Sequence, residues 1–239
     1  VDIEFAVSLT PDGSKPKLTF HLLQCRPQNQ WNVESREIQA LPTDLAAEDK
    51  ILFCTRMVPQ GRVSQIEYII YVAPQSYYHL DSADDYSRVA ACIGGINQAL
   101  EGKTFILVGP GRWGSSDPMQ GVPVTYADIF NTRALVEVAS NQSGFSSEPS
   151  YGTHFFQDLV ESQIYPLAVH PEGPEDHLNL DFISKCENQI SEFVPEQSPA
   201  SQCIKVIHVP TERPGYHLEL IMDGQKGLGY LMGDKAKQL

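Results

Sequence analysis

Ile3, Phe5 and Val7 alternate with polar or small residues, Pro11-Asp-Gly13 supplies a turn, and a second run of strand character follows from Lys17 to Gln24. Period-two alternation around such a turn predicts a β-hairpin. Beyond Arg26-Pro27 the chain turns polar up to about Pro42, the composition of a connector. Runs at 51–56 and 63–72, the second carrying Ile66, Tyr68, Ile69, Ile70 and Tyr71, predict two strands that open a second domain. Helical spacing takes over after Asp84-Asp85, with Val89, Ala90, Ile93, Ile96 and Leu100 on one face, and Gly102 leads into an apolar strand at 104–108. Thr125 is placed to cap a short helix through Phe130, and 134–139 is the next strand. Gly152-Thr153 opens a helix with Phe155, Phe156, Leu159 and Val160, followed by a strand at 165–169. A helix is predicted over 176–193, then strands at 204–209, 216–221 and 227–232.

Helices alternating with short apolar strands predict an α/β class with a mixed sheet flanked by helices, preceded by the hairpin. The expected division is a hairpin over 1–28, a connector over 29–42 and an α/β domain over 43–239. Lys plus Arg number 17 against 30 Asp plus Glu, a formal net charge of −13, with no compact basic run. Binding to nucleic acid or to an anionic membrane is disfavoured, since a protein must bring cations to a phosphate backbone. No run approaches the roughly 20 apolar residues of a membrane span, and the opening Val1-Asp-Ile-Glu-Phe5 lacks a signal peptide's cationic start, so the expected location is cytoplasmic. The chain begins inside a strand pattern without an initiator Met, as expected of a piece of a longer polypeptide. Cys25, Cys54, Cys92, Cys186 and Cys203 are scattered, without metal-ligand spacing, and are expected to be reduced core thiols.

Candidate chemistry falls in three places. On the hairpin, a period of two puts Asp2 and Glu4 on one face of the first strand, and Gln24 and Arg26 on one face of the second. The second place is the segment from Thr104 to Pro118, where an apolar strand runs into Gly109-Pro-Gly111-Arg112-Trp113-Gly114-Ser115-Ser116-Asp117. Glycine amides admit an anion without Cβ obstruction, Arg112 adds a fixed charge, Ser115 and Ser116 add hydroxyls, and Asp117 is a candidate metal ligand. Trp113 is suited either to stacking on a ring or to plugging the core, and Arg112 to pairing with Asp117 or Glu137. The segment is neither a Walker loop nor a dinucleotide fingerprint. The third is His154, in the first turn of a helix, a position suited to contacting an anion, to accepting a phosphoryl group or to a structural cap contact. If the second and third places converge, Glu137 is a candidate base.

The Asp2-Ile-Glu-Phe5 and Leu23-Gln-Cys-Arg-Pro27 pair resembles the closing hairpin of the ATP-grasp nucleotide domain in the phosphoenolpyruvate synthase and pyruvate phosphate dikinase family. That resemblance covers about residues 1–28. It implies ATP and Mg²⁺ as cofactors, with Glu4 holding the metal, Gln24 beside the phosphates or metal, and Arg26 acting catalytically on the transferring phosphoryl group. Phosphoryl transfer relies on positioning and cationic stabilisation, which suits a hard carboxylate and a guanidinium. The family's phosphate-covering loop and lysines are not in this chain, so the implied partner is an upstream ATP-grasp region of the same polypeptide, and the chain alone is expected to be inactive towards ATP. The family's phosphorylated histidine stands in a T-x-H-[AS]-A context; Thr153-His154-Phe155-Phe156 departs from it. Together, the 109–118 loop and the 152–159 segment are similar to a region found downstream of dikinase-type ATP-grasp segments in bacterial multidomain proteins.

The reading that follows is the C-terminal part of an ATP-dependent phosphotransferase, whose 43–239 domain binds a small anionic or phosphorylated ligand. The alternative is a non-catalytic module in which loop 109–118 recognises a phosphorylated metabolite or nucleotide. A hydrolase using Ser115 or Ser116 with His154 lacks the G-x-S-x-G elbow.

Overall fold

The computed structural model describes residues 2–11, 16–26, 40–139, 153–194 and 199–234, with backbone only at 2–4, 24–26 and 199–200. The chain divides into two compact units, 1–37 and 38–239.

The first unit is the expected hairpin, β1 (Asp2–Thr10) antiparallel to β2 (Lys17–Arg26). A bulge after Glu4 places Leu23 outside the ladder, so Phe5 faces Leu22, Val7 faces Phe20 and Leu9 faces Leu18. These six apolar side chains share one face and all are exposed, with the Phe5 and Phe20 rings stacked 4.6 Å apart. The opposite face is polar, and Ser8 Oγ lies 3.0 Å from His21 Nε2.

The second unit has three layers. Its central sheet takes β5 (Tyr68–Val72), β6 (Phe105–Pro110), β7 (Ala134–Val138) and β8 (Tyr165–Val169), all parallel, with β10 (Ile204–His208) antiparallel at the β5 edge. One face carries α1 (Pro74–Tyr77), α2 (Ala83–Ala99), α3 (His154–Glu161) and α5 (Ile190–Phe193). Ser82 caps α2 by accepting from the Asp85 amide, two acids stand in its first turn, and Val89, Ile93 and Ile96 reach Ile70, Phe105, Leu107 and Leu135 of the sheet.

The other face is covered chiefly by a second sheet, where a helical layer was expected. That sheet is antiparallel, in the order β4 (Gln60–Ile66), β11 (Tyr216–Asp223), β12 (Gly227–Gly233), β3 (Lys50–Cys54) and β9 (His177–Leu178). Ile51, Val63, Leu218, Leu220 and Met222 pack on Ile69, Ile106, Val136 and Leu167. The short elements α4 (Leu180–Lys185) and α6 (Val209–Glu212) lie on this side, Ile183 and Val209 joining its core.

Two predicted elements are divided. The 63–72 run is two strands in different sheets, because Gln65 takes a positive φ of 56° and Glu67 leaves the ladder to bond Thr104 through its amide. The 176–193 helix is β9, α4 and α5: Asn179 caps α4 by accepting from the Phe182 amide, and Cys186 is extended. Asn188 then accepts from the Ile190 and Val206 amides, tying the chain to β10 instead of to a helical turn. Cys54, Cys186 and Cys203 are buried free thiols and Cys92 is half-buried, while the side chain of Cys25 is outside the described residues. Among the described residues no helix is long and apolar enough to cross a membrane.

Candidate functional site

In the hairpin, backbone register pairs Asp2 with Arg26 and Glu4 with Gln24. The four positions named from the sequence therefore stand at one end of one ribbon; their side chains lie outside the described residues.

The glycine-rich loop leaves β6 at the carboxyl end of the parallel strands. Gly109 makes room for the core: a Cβ there would fall 2.7 Å from Trp113 Cζ2 and 2.9 Å from Val72 Cβ. Trp113 is fully buried, its indole Nε1 has no hydrogen-bond partner, and its backbone amide donates to Glu137 Oε1 at 3.0 Å. The plugging role expected as one option for Trp113 is therefore the one it takes. The Gly111 amide, in a residue at φ 62°, donates to Val138 O, that of Arg112 to Gln120 O and that of Gly114 to Val122 O. Consecutive loop amides are thus closed on the chain itself, and Gly109 and Gly111 serve close packing and a left-handed turn where an anion cradle was expected. Of the groups named there from the sequence, the side chains of Arg112, Ser115 and Ser116 are not used by these amide bonds. Asp117 is a turn former, with Oδ1 accepting from the Met119 amide, Oδ2 from Gln120 Nε2, and its own amide donating to Ser115 Oγ. Among the described residues no three His, Cys, Asp or Glu side chains converge as a metal site.

The loop and the His154 helix do meet. A Cβ on Gly114 would lie 2.5 Å from Phe155 Cγ, so the phenyl ring occupies the space over that glycine. Thr153 caps α3 by accepting from the Phe156 amide, and His154 is exposed at the first helical position. That approach sets a phenyl ring on a glycine, and Arg112, Ser115, Ser116, Asp117 and His154 line neither the cavity at the ends of the parallel strands nor the one beside β3 and β9.

A cavity of about 490 Å³ opens at the carboxyl ends of β5, β7 and β8, on the side facing the antiparallel sheet. This is where open α/β sheets present loops to ligands. Val138, Ala139, Leu178 and Ile183 give it an apolar body, and Tyr71, Glu172, Ser184 and Lys205 contribute polar groups. Tyr71 is about nine-tenths buried, and among the described residues its hydroxyl has no protein hydrogen-bond partner. Burial pushes that phenol up to about 12, so it stays neutral and available as a donor. Cys203, also on the wall, is likewise pushed up to about 12 by burial, which leaves it a thiol and a poor nucleophile at neutral pH. A wider cavity of about 760 Å³ is lined by Lys50, His177, Asp181, Lys185, Glu212 and Arg213 among others, with charges of both signs. Neither cavity was visible in the sequence, since each is assembled from segments joined only by sheet register.

Comparison with protein-family models, curated proteins and solved structures finds no match. The site is therefore read from its own chemistry.

One further charged group lies on the outer face of the antiparallel sheet. Glu219 has no exposed surface; its Oε2 accepts from Arg62 Nε at 2.9 Å and lies 2.8 Å from its terminal nitrogen. Its Oε1 accepts from the Gln65 amide and lies 2.9 Å from His217 Nε2, whose Nδ1 is 3.0 Å from Asp234. Burial raises this carboxyl, but the Arg62, Gln65 and Ser64 hydrogen bonds and the Arg62 charge outweigh it and hold Glu219 below its ordinary value. Every partner sits in this one sheet or just past its end, so the group ties β4 to β11.

Proposed function

We propose that the chain is the C-terminal part of an ATP-dependent phosphotransferase of the phosphoenolpyruvate synthase and pyruvate phosphate dikinase kind. In this reading the hairpin borders the Mg-ATP site, and residues 38–239 bind a small anionic acceptor or regulator. The observation that carries it is the register pairing Asp2 with Arg26 and Glu4 with Gln24, which assembles the acid, amide and guanidinium positions on neighbouring strands at one end of the ribbon. A carboxylate for Mg²⁺ and a guanidinium for developing phosphoryl charge are what such a transfer needs from this edge.

For residues 38–239 a binding role without chemistry is favoured by the closed loop amides and by a cavity whose thiol and phenol are both held protonated. The test is Mg-dependent ATP consumption by the polypeptide that joins this chain to its ATP-grasp region. Arg26→Ala is expected to lower turnover by about 10³-fold, and Glu4→Gln to weaken Mg²⁺ dependence. Undiminished turnover in both variants refutes the assignment.

A further inference from the structure

The reading of residues 38–239 as a binding unit leaves the ligand's chemistry open, and the cavity at the carboxyl ends of the parallel strands narrows it. Lys205 and Tyr71 are direct partners in the antiparallel β10–β5 ladder. Direct partners share a face of the sheet with Cβ atoms about 5 Å apart, so the two side chains leave the sheet side by side, and both residues line the cavity. Lys205 Nζ donates to the Ser184 carbonyl at 2.9 Å, which fixes the stem and leaves two of its three N–H donors for a ligand. Tyr71 beside it is about nine-tenths buried, while its hydroxyl keeps access to the cavity and has no protein hydrogen-bond partner among the described residues, which leaves it open to a ligand.

The rest of the lining limits what can bind. Lys205 is its sole cation among the described residues, and Glu172 on the same lining opposes a second negative charge. A phosphate ester, with near two charges and three acceptor oxygens, is poorly matched; a carboxylate, with one charge and two oxygens, fits two adjacent donors. Val138, Leu178 and Ile183 offer an apolar body beside them, and about 490 Å³ lies within the usual range for small-molecule sites.

We propose that this cavity binds a small monocarboxylate with an apolar tail or ring, its carboxylate held between the Lys205 ammonium and the Tyr71 hydroxyl. The inference rests on the binding role assigned above to residues 38–239, and specifies its ligand.

The test is calorimetric titration of the full chain with 3-phenylpropanoate, 3-phenylpropanamide, phenyl phosphate and inorganic phosphate. The carboxylate is expected to bind saturably at one site, and the uncharged amide, on the unaltered protein, about tenfold or more weakly. Lys205→Met is expected to weaken the carboxylate by about tenfold or more and Tyr71→Phe by about fivefold, with circular dichroism and thermal midpoint confirming that both variants fold. Absence of saturable binding, equal affinity for carboxylate and amide, tighter binding of phenyl phosphate, or indifference to both substitutions each overturns the proposal. Those results are separable from the phosphotransferase reading, which stands or falls on the ATP assay of Glu4 and Arg26.

Discussion

Glu219 is the residue whose environment most clearly opposes two effects. Burial disfavours its charge, yet Arg62, the Gln65 amide and Ser64 together keep it ionised below its ordinary value of 4.5. A carboxyl lowered in the folded state stabilises the fold at pH above its unfolded value, and that contribution fades as pH falls through the folded value. Glu219→Gln is expected to cost about 3 kcal/mol at neutral pH, because it leaves Arg62 and His217 facing a neutral amide. In urea denaturation repeated from pH 7 to below 4, the gap between the protein and this variant should narrow towards the acid end. A gap independent of pH would show that packing, and not the ion pair, sets the cost. Little in the sequence marks Glu219: it sits between Leu218 and Leu220, and although His217 two residues back is a local neighbour, only the register of β4 against β11 and the turn of the chain at Gln65 bring it Arg62 and the Gln65 amide. The loop residues show the converse. Gly109, Gly111 and Gly114 stood out as residues that need no Cβ; Gly111 takes a left-handed turn, and at Gly109 and Gly114 the atoms filling the space are Trp113, Val72 and Phe155. Glycine spacing reports close approach without saying what approaches.

Among elements, legibility followed locality. The hairpin, α2 and the strands at 104–108, 134–139 and 165–169 were readable because their signals are local: alternation, a turn, an N-cap and a continuous apolar run. Ser82→Ala, which removes the hydroxyl accepting from the Asp85 amide at the start of α2, is expected to cost about 1 kcal/mol, measured as a lowered denaturation midpoint. Where non-local bonds decide, the reading fell short. Asn188 in mid-sequence looks compatible with a helix, but its side chain serves the β10 edge through the Val206 amide and the Ile204 carbonyl. The Tyr71 and Lys205 pair is hidden for the same reason, since 134 positions separate two residues that only the β10–β5 ladder makes neighbours.

In the 38–239 unit the central sheet has no independent core on its lower side. Ile69, Ile106, Val136 and Leu167 are covered by Ile51, Val63, Leu218 and Leu220 of the antiparallel sheet, so separating the layers exposes both. This unit is expected to unfold in a single calorimetric transition, with equal calorimetric and van't Hoff enthalpies; two resolved transitions assigned to the two sheets would contradict it. The α/β class was predictable at this scale because helices and parallel strands alternate in sequence. The replacement of one helical layer by a second sheet was not, since four of its five strands come from the two ends of the unit, 50–66 and 216–233, with most of the central sheet between them and the short β9 added from 177–178.

The passage of the chain from β4 to β5 across Glu67 joins the two sheets through one residue. Circular permutation turns that junction into a contrast. New termini between Glu67 and Tyr68 cut the tether that sets both registers at once, so a rearranged gene opened there should give insoluble product. Opening it at the exposed turn 224–226 interrupts only a hairpin and should give soluble protein.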